Sequence, residues 1–94
     1  MIYELEFDRR ALKEWHKLDS PQRLQFKKKL QELLKHPRNE ANRLRELPDC
    51  YKIKLRSSGY RLVYQVQEQR LVVLVVAIGK REREKAYKDA THRI

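Results

Sequence analysis

Cys50-Tyr51-Lys52-Ile53-Lys54-Leu55-Arg56-Ser57-Ser58-Gly59-Tyr60-Arg61-Leu62-Val63-Tyr64 is the stretch that decides how this chain folds. With a period of two, Tyr51, Ile53 and Leu55 fall on one side of a strand and Lys52, Lys54 and Arg56 on the other. Ser57-Ser58-Gly59 turns the chain, and Tyr60 to Gln67 returns as a second strand. Pairing Arg56 opposite Arg61 sets Leu62, Tyr64 and Val66 beside Ile53 and Leu55 and puts Arg61 among the cations. A slip of one residue would turn Arg61 into the core, where an unpaired charge is costly. The expected hairpin thus has one apolar face and one face carrying Lys52, Lys54, Arg56 and Arg61. Like charges side by side repel, so such a row points to a polyanionic visitor.

Working outward, Ile2 to Phe7 alternates Tyr3, Leu5 and Phe7 against Glu4 and Glu6, a short strand. Asp8 caps a helix to about Lys17, with Ala11, Trp15 and Leu18 on its apolar stripe and Leu12 beside them. Ser20 and Pro21 start a second helix to about Lys35, with Phe26, Leu30, Leu33 and Leu34 inward. Lys27-Lys28-Lys29 reads as its solvated edge. Arg38 to Asp49 is a polar loop that Leu44 and Leu47 can anchor. Leu71 to Ile78 is apolar throughout and rich in β-branched residues, as suits a central strand covered on both sides. Lys80 to Thr91 is a charged helix or tail in which Ala86, Tyr87 and Ala90 can face inward, an element expected to be weakly held.

The order β-α-α-β-β-β-α predicts one α+β domain over residues 1–94, a compact two-layer fold. Its sheet is mostly antiparallel, two helices cover one face, and the other face is left open beneath the basic row. The 94 residues carry 23 Lys and Arg against 13 Asp and Glu, a net charge of +10. Residues 1–42 hold ten basic and seven acidic residues and residues 43–94 thirteen and six, so the hairpin half is the electropositive one. This balance suits nucleic acid, an acidic protein or an anionic surface. The single cysteine, Cys50, allows no internal disulfide and fits a reducing cytoplasm; without a nearby histidine base it reads as structural. The start Met1-Ile2-Tyr3-Glu4 is unlike a secretory signal, and the longest apolar run is too short for a membrane span.

His16, His36 and His92 are scattered, no acidic or thiol cluster has metal-ligand spacing, and two glycines make no phosphate loop. Neither a metal nor another cofactor is expected. What the basic face offers is cations and phenols. Attack of a ribose 2′-hydroxyl on its own 3′ phosphate needs a base, stabilisation of a more negative phosphorane, and a proton for the departing oxygen. Lysine and arginine stabilise charge. A tyrosine, ordinarily near pKa ~10, is drawn towards phenolate by adjacent cations. With Tyr51 and Tyr64 facing the core, Tyr87, just after Lys80, Arg81, Arg83 and Lys85, is the best base candidate.

The stretch Tyr51 to Tyr64, Gly79-Lys80-Arg81-Glu82-Arg83 and Tyr87 together resemble the RelE toxins of the RelE/ParE toxin–antitoxin superfamily. Phe7-Asp8, Ala11-Leu12-Lys13-Glu14-Trp15 and Glu40-Ala41-Asn42 fit as well, and the resemblance spans essentially the whole chain. It implies the microbial RNase-like RelE fold and a metal-independent mRNA endonuclease that enters the ribosomal A site on the small subunit and cuts the codon there, leaving a 2′,3′-cyclic phosphate. By position, Lys52 and Lys54 would bind and polarise the scissile phosphate, Arg61 would stabilise the transition state, Arg81 would assist the leaving oxygen, and Tyr87 would be the base. Arg45, Arg56, Lys80 and Arg83 would bind RNA. The implied partners are mRNA, the ribosome and an acidic RelB-like antitoxin, with DNA reached only through the antitoxin complex that represses the operon. Two rivals remain on these residues: a ParE-like gyrase inhibitor on the same fold, and a basic RNA-binding module without catalysis.

Overall fold

Alternation at Tyr3, Leu5 and Phe7 forms strand β1 (Glu4–Phe7) in the computed structural model, which describes residues 2–94 without the side chain of Arg83. Asp8 ends the strand and caps α1 (Arg9–Lys17), its carboxylate accepting the Arg10 N–H at 2.9 Å. Ala11 is buried on α1, Leu12 stays exposed, and Trp15 packs edge-on against Phe7 with ring centroids 5.3 Å apart. The second helix, α2 (Ser20–Leu33), has Asp19 at its N-cap position without a side-chain hydrogen bond and stops just short of the expected end. Its Phe26 and Leu30 are buried, and enclosing the Phe26 ring contributes about 1.5–3 kcal/mol.

Strands β2 (Cys50–Leu55), β3 (Tyr60–Gln67) and β4 (Val72–Lys80) complete a sheet of order β1-β4-β3-β2. Only β1–β4 is a parallel pair; the others are antiparallel. The apolar run of β4 lies between β1 and β3, as its composition predicts. Helices α1 and α2 cover the face made by Tyr51, Ile53, Leu55, Leu62, Tyr64, Val66, Val73, Val75 and Ile78. This is the expected α+β two-layer arrangement.

The hairpin register differs from expectation by two residues: Arg61 stands opposite Lys54, and Leu55 opposite Tyr60. The loop is Arg56 to Gly59, closed by the Gly59 N–H donating to the Leu55 carbonyl at 2.9 Å. Gly59 lies at φ 76, and only glycine enters that left-handed conformation without strain, so the turn ends there. A shift of two leaves every side chain on its expected face, and Arg61 stays among the cations.

The second face is not fully open. After a 3-10 turn (Glu82–Glu84), α3 (Lys85–Arg93) lies against it, and Ala86 and Ala90 bury onto Cys50, Val63, Val76 and Ala77. Gly79 permits the approach: a Cβ there would stand 3.2 Å from the Ala86 nitrogen. The segment expected to be weakly held is tied at its far end by a polar contact. Arg93, its side chain only 11% exposed, pairs with Glu14 of α1 at 2.8 Å. Between β3 and β4 a bulge sets Val63 opposite Ala77 and Tyr64 opposite Val75, leaving Val76 as the extra residue. Val76 and Ala77 therefore both face α3.

The 38–49 loop is anchored, as Leu44 and Leu47 suggest, by their packing at the edge of the α3 core. A short 3-10 turn (Glu40–Asn42) and a bridge between Arg43 and Tyr51 run it along β2. Arg38 fastens its base, donating to Glu68 at 2.9 Å, Asp49 at 3.1 Å and the Tyr51 hydroxyl at 3.2 Å.

Candidate active site: a cationic groove beside α3

Helix α3 covers the β3–β4 half of the second face and leaves the β2 half to the cations. Lys52 is half-buried and Lys54 exposed, one pleat apart on β2. Arg61 lies directly across from Lys54 and, on its other side, opposite Gly79, which puts no side chain beside it. Arg81 follows the end of β4, its N–H donating to the Gly59 carbonyl at 2.6 Å, so its backbone is tied to the hairpin turn. Among the described residues, none of Lys52, Lys54, Arg56, Arg61 and Arg81 forms an ion pair, whereas Arg38, Arg70, Lys85 and Arg93 all do.

The neighbours act on Lys54: chiefly the Lys52 charge, then burial and the Arg61 charge, hold its ammonium below the usual 10.5. The protonated form is thus disfavoured in the folded chain. That penalty is present at neutral pH and vanishes as pH rises past the unfolded value. Lys54→Gln is accordingly expected to raise the thermal midpoint at low salt, by less at high salt, because the charges are solvent-screened. Thermal melts at two ionic strengths check this, and a lowered midpoint would contradict it.

Lys52 is shared by two depressions. One, a cavity of about 340 Å³, lies between the 43–47 loop and the start of α3; Arg45, Glu46, Glu84, Tyr87 and Thr91 line it with Lys52. The other, about 440 Å³, runs along the β2 edge towards Lys29, His36 and Asn42, with Lys54 and Arg56 on its wall. A strand crossing β2 would meet both. Lys80 does not join them. Its ammonium sits 5.7 Å over the Tyr60 ring, in a separate groove with Glu14 and Lys17. The Arg83 side chain lies outside the described residues.

The five tyrosines separate by environment. Tyr51 and Tyr64 stack in the core with centroids 5.5 Å apart; Tyr64 donates to the Pro37 carbonyl at 2.7 Å and burial pushes its phenol up, holding it protonated. Tyr3 donates to Glu68, and Tyr60 lies under Lys80. Tyr87 alone shares the α3 groove with Lys52 and Arg45. Cys50, fully buried, has its thiol pushed up to about 12 by that burial and is inert, as expected of a structural cysteine. Among the described residues no three His, Cys, Asp or Glu side chains are grouped to hold a metal. Glu46 and Glu84, both in the Tyr87 groove, were not foreseen; they lie in irregular segments where no periodicity points at them.

Residues 5–85 match the family model described as ParE toxin of type II toxin–antitoxin system, parDE. The chain belongs to the RelE/ParE toxin family. Over its full 94 residues it is 64% identical to the mRNA interferase toxin RelE of Escherichia coli K12, covering 99% of that protein. The free form of an arginine-to-alanine double mutant of E. coli toxin RelE superposes with a TM-score of 0.93 at 62% identity, over 100% of this chain and 99% of that one. The toxin in the intact E. coli RelBE toxin–antitoxin complex gives 0.83 at 67% identity, over 86% of this chain and 99% of that one. The three helices and four-stranded sheet of this RelE/ParE toxin thus follow the E. coli RelE fold over the whole chain.

Proposed function

We propose that this toxin is a ribosome-dependent mRNA endonuclease, cutting A-site codons by 2′-hydroxyl attack. The observation that carries the reading is the groove in which Tyr87 meets Lys52 and Arg45 beside an unpaired cationic row. Reacting as phenolate, Tyr87 takes the 2′-hydroxyl proton as the 2′ oxygen bonds to phosphorus. The bond to the 5′ oxygen breaks and that oxygen takes a proton from water, leaving a 2′,3′-cyclic phosphate and a new 5′-hydroxyl. Lys52 and Lys54 hold the scissile phosphate, Arg61 faces the charge that grows on the phosphorane, and Arg81 attends the leaving oxygen. Arg45 and Arg56, one in each depression, guide the strand. Lys80, set apart beside Tyr60, binds RNA only outside this groove.

The gyrase-poison rival shares the fold, and the matched family model carries the ParE name. Full-length identity to mRNA interferases, together with the placement of Tyr87, favours RNA chemistry. A RelB-like antitoxin is the partner in the E. coli complex; here an acidic antitoxin would neutralise the same cations and, with the toxin, bind operator DNA. Action on ribosomes places the protein in the cytoplasm, and no described helix is long and apolar enough to cross a membrane.

Primer extension on an mRNA programmed into ribosomes tests the proposal. Cuts within the A-site codon are expected, with slow cleavage of the same RNA free in solution, since the ribosome must supply substrate alignment. Absence of A-site cuts, or inhibition of DNA supercoiling by the toxin, would overturn it.

A further inference from the structure

Helix α3 carries Tyr87 yet has little of its own to hold it in place. Nine residues make a marginal helix in water. Its apolar grip on the sheet is two alanine methyl groups, Ala86 and Ala90, with Tyr87 at the margin. Its start lacks a side-chain cap and is entered through Glu84 in the left-handed conformation, φ 50. What fixes it is polar. Glu14 of α1, 17% exposed, accepts from Arg93 at 2.8 and 3.2 Å through its two oxygens. The same carboxylate accepts the Ile78 N–H of β4 at 3.1 Å and faces Lys85 at 3.5 Å. Arg93 also donates to the Val76 carbonyl at 3.0 Å. Asp89 closes the cluster, 2.6 Å from Lys85 and 3.6 Å from Arg93. One carboxylate therefore joins α1, β4 and both ends of α3.

We propose that Glu14 and Arg93 are positioning residues for catalysis: their two-point ion pair clamps α3 on β4 and sets where Tyr87 presents its hydroxyl to RNA. This rests on the reading of Tyr87 as the base. Neither residue of the pair lines the two depressions that hold the cations. Lys52, Lys54 and Arg61 are carried by β2 and β3, so binding and base placement rest on different elements. Loosening α3 should therefore slow the chemical step while leaving capture of the substrate intact.

The test compares wild type with Arg93→Gln, Glu14→Gln, the double variant, and Arg93→Lys as the charge-conserving form. Arg70→Gln, which breaks the exposed pair with Glu6 elsewhere, serves as control. In steady-state cleavage of ribosome-bound mRNA, each Gln variant should lose about tenfold in kcat with KM within about twofold. The double variant should be no slower than the worse single one, because the two side chains act as a unit. Arg93→Lys should recover part of the loss, and Arg70→Gln should match wild type. Amide hydrogen exchange should show residues 87–93 exchanging faster in the Gln variants while β3 and β4 stay protected. Faster exchange with unchanged kcat, additive losses, or a rise in KM alone would overturn the proposal, as would unchanged exchange. If the wild type itself fails to cut, the proposed function falls, and the exchange result alone still decides whether the clamp holds α3.

Discussion

Tyr87→Phe is expected to slow single-turnover cleavage of ribosome-bound mRNA by about 10²–10⁴-fold, the usual worth of a positioned general base. That range is about 3–5 kcal/mol of barrier. The ring survives the substitution and keeps its place beside Ala86 and Ala90, so α3 should dock as before. The four other tyrosines cannot substitute for it. Two are stacked in the core, one is bonded to Glu68 and one lies beneath Lys80. Binding should change little, since the cations proposed to hold phosphate are untouched. A wild-type rate in rapid-mixing assays would remove Tyr87 from the mechanism.

Arg61→Ala is expected to cost about 10²–10³-fold in the same assay, the loss seen when one preorganised donor to a developing oxyanion is deleted. Arg61 is half-buried, directly across from Lys54 and opposite Gly79 on its other side, and its guanidinium donates to the Tyr60 carbonyl at 3.4 Å. The same change should raise the thermal midpoint, because Arg61 is one of the charges that disfavour the Lys54 ammonium. Opposite signs for rate and stability mark a residue kept for function at the expense of the fold. Arg61→Lys should retain the charge but lose the two-point fork, recovering only part of the rate. Equal activity in all three forms would show that Arg61 is bystander charge.

The sheet was legible because parity is robust. Alternation assigned Ile53, Leu55, Leu62 and Tyr64 to the core and Lys52, Lys54 and Arg61 to the other face, and a register error of two residues changed none of it. That error arose from the turn: Ser57-Ser58-Gly59 marks a reversal, but only the positive φ of Gly59 fixes where the loop closes. The hold on α3 was not legible. It depends on Glu14 and Arg93, 79 positions apart, and on a missing Cβ at Gly79, none of which leaves a periodic trace. The Arg38 network is silent in the same way, a long-range polar contact among residues that each look like surface. Tyr87 stood out by chemistry; its company in the groove, Arg45 foreseen and Glu46 and Glu84 not, is settled by how the 43–47 loop returns to β2.

The extra residue at Val76 gives β4 two phases. Before it, odd positions such as Val73 and Val75 point to the helix pair; after it, Ile78 does, and Gly79 turns to the α3 side. Adjacent cations are thereby dealt to different sides of the molecule: Lys80 goes to Tyr60 and Arg81 to the hairpin turn. Counting in twos from the start of the strand would exchange them. At this end of β4 the bulge thus splits two neighbouring cations, and of the pair only Arg81 is left beside the hairpin turn.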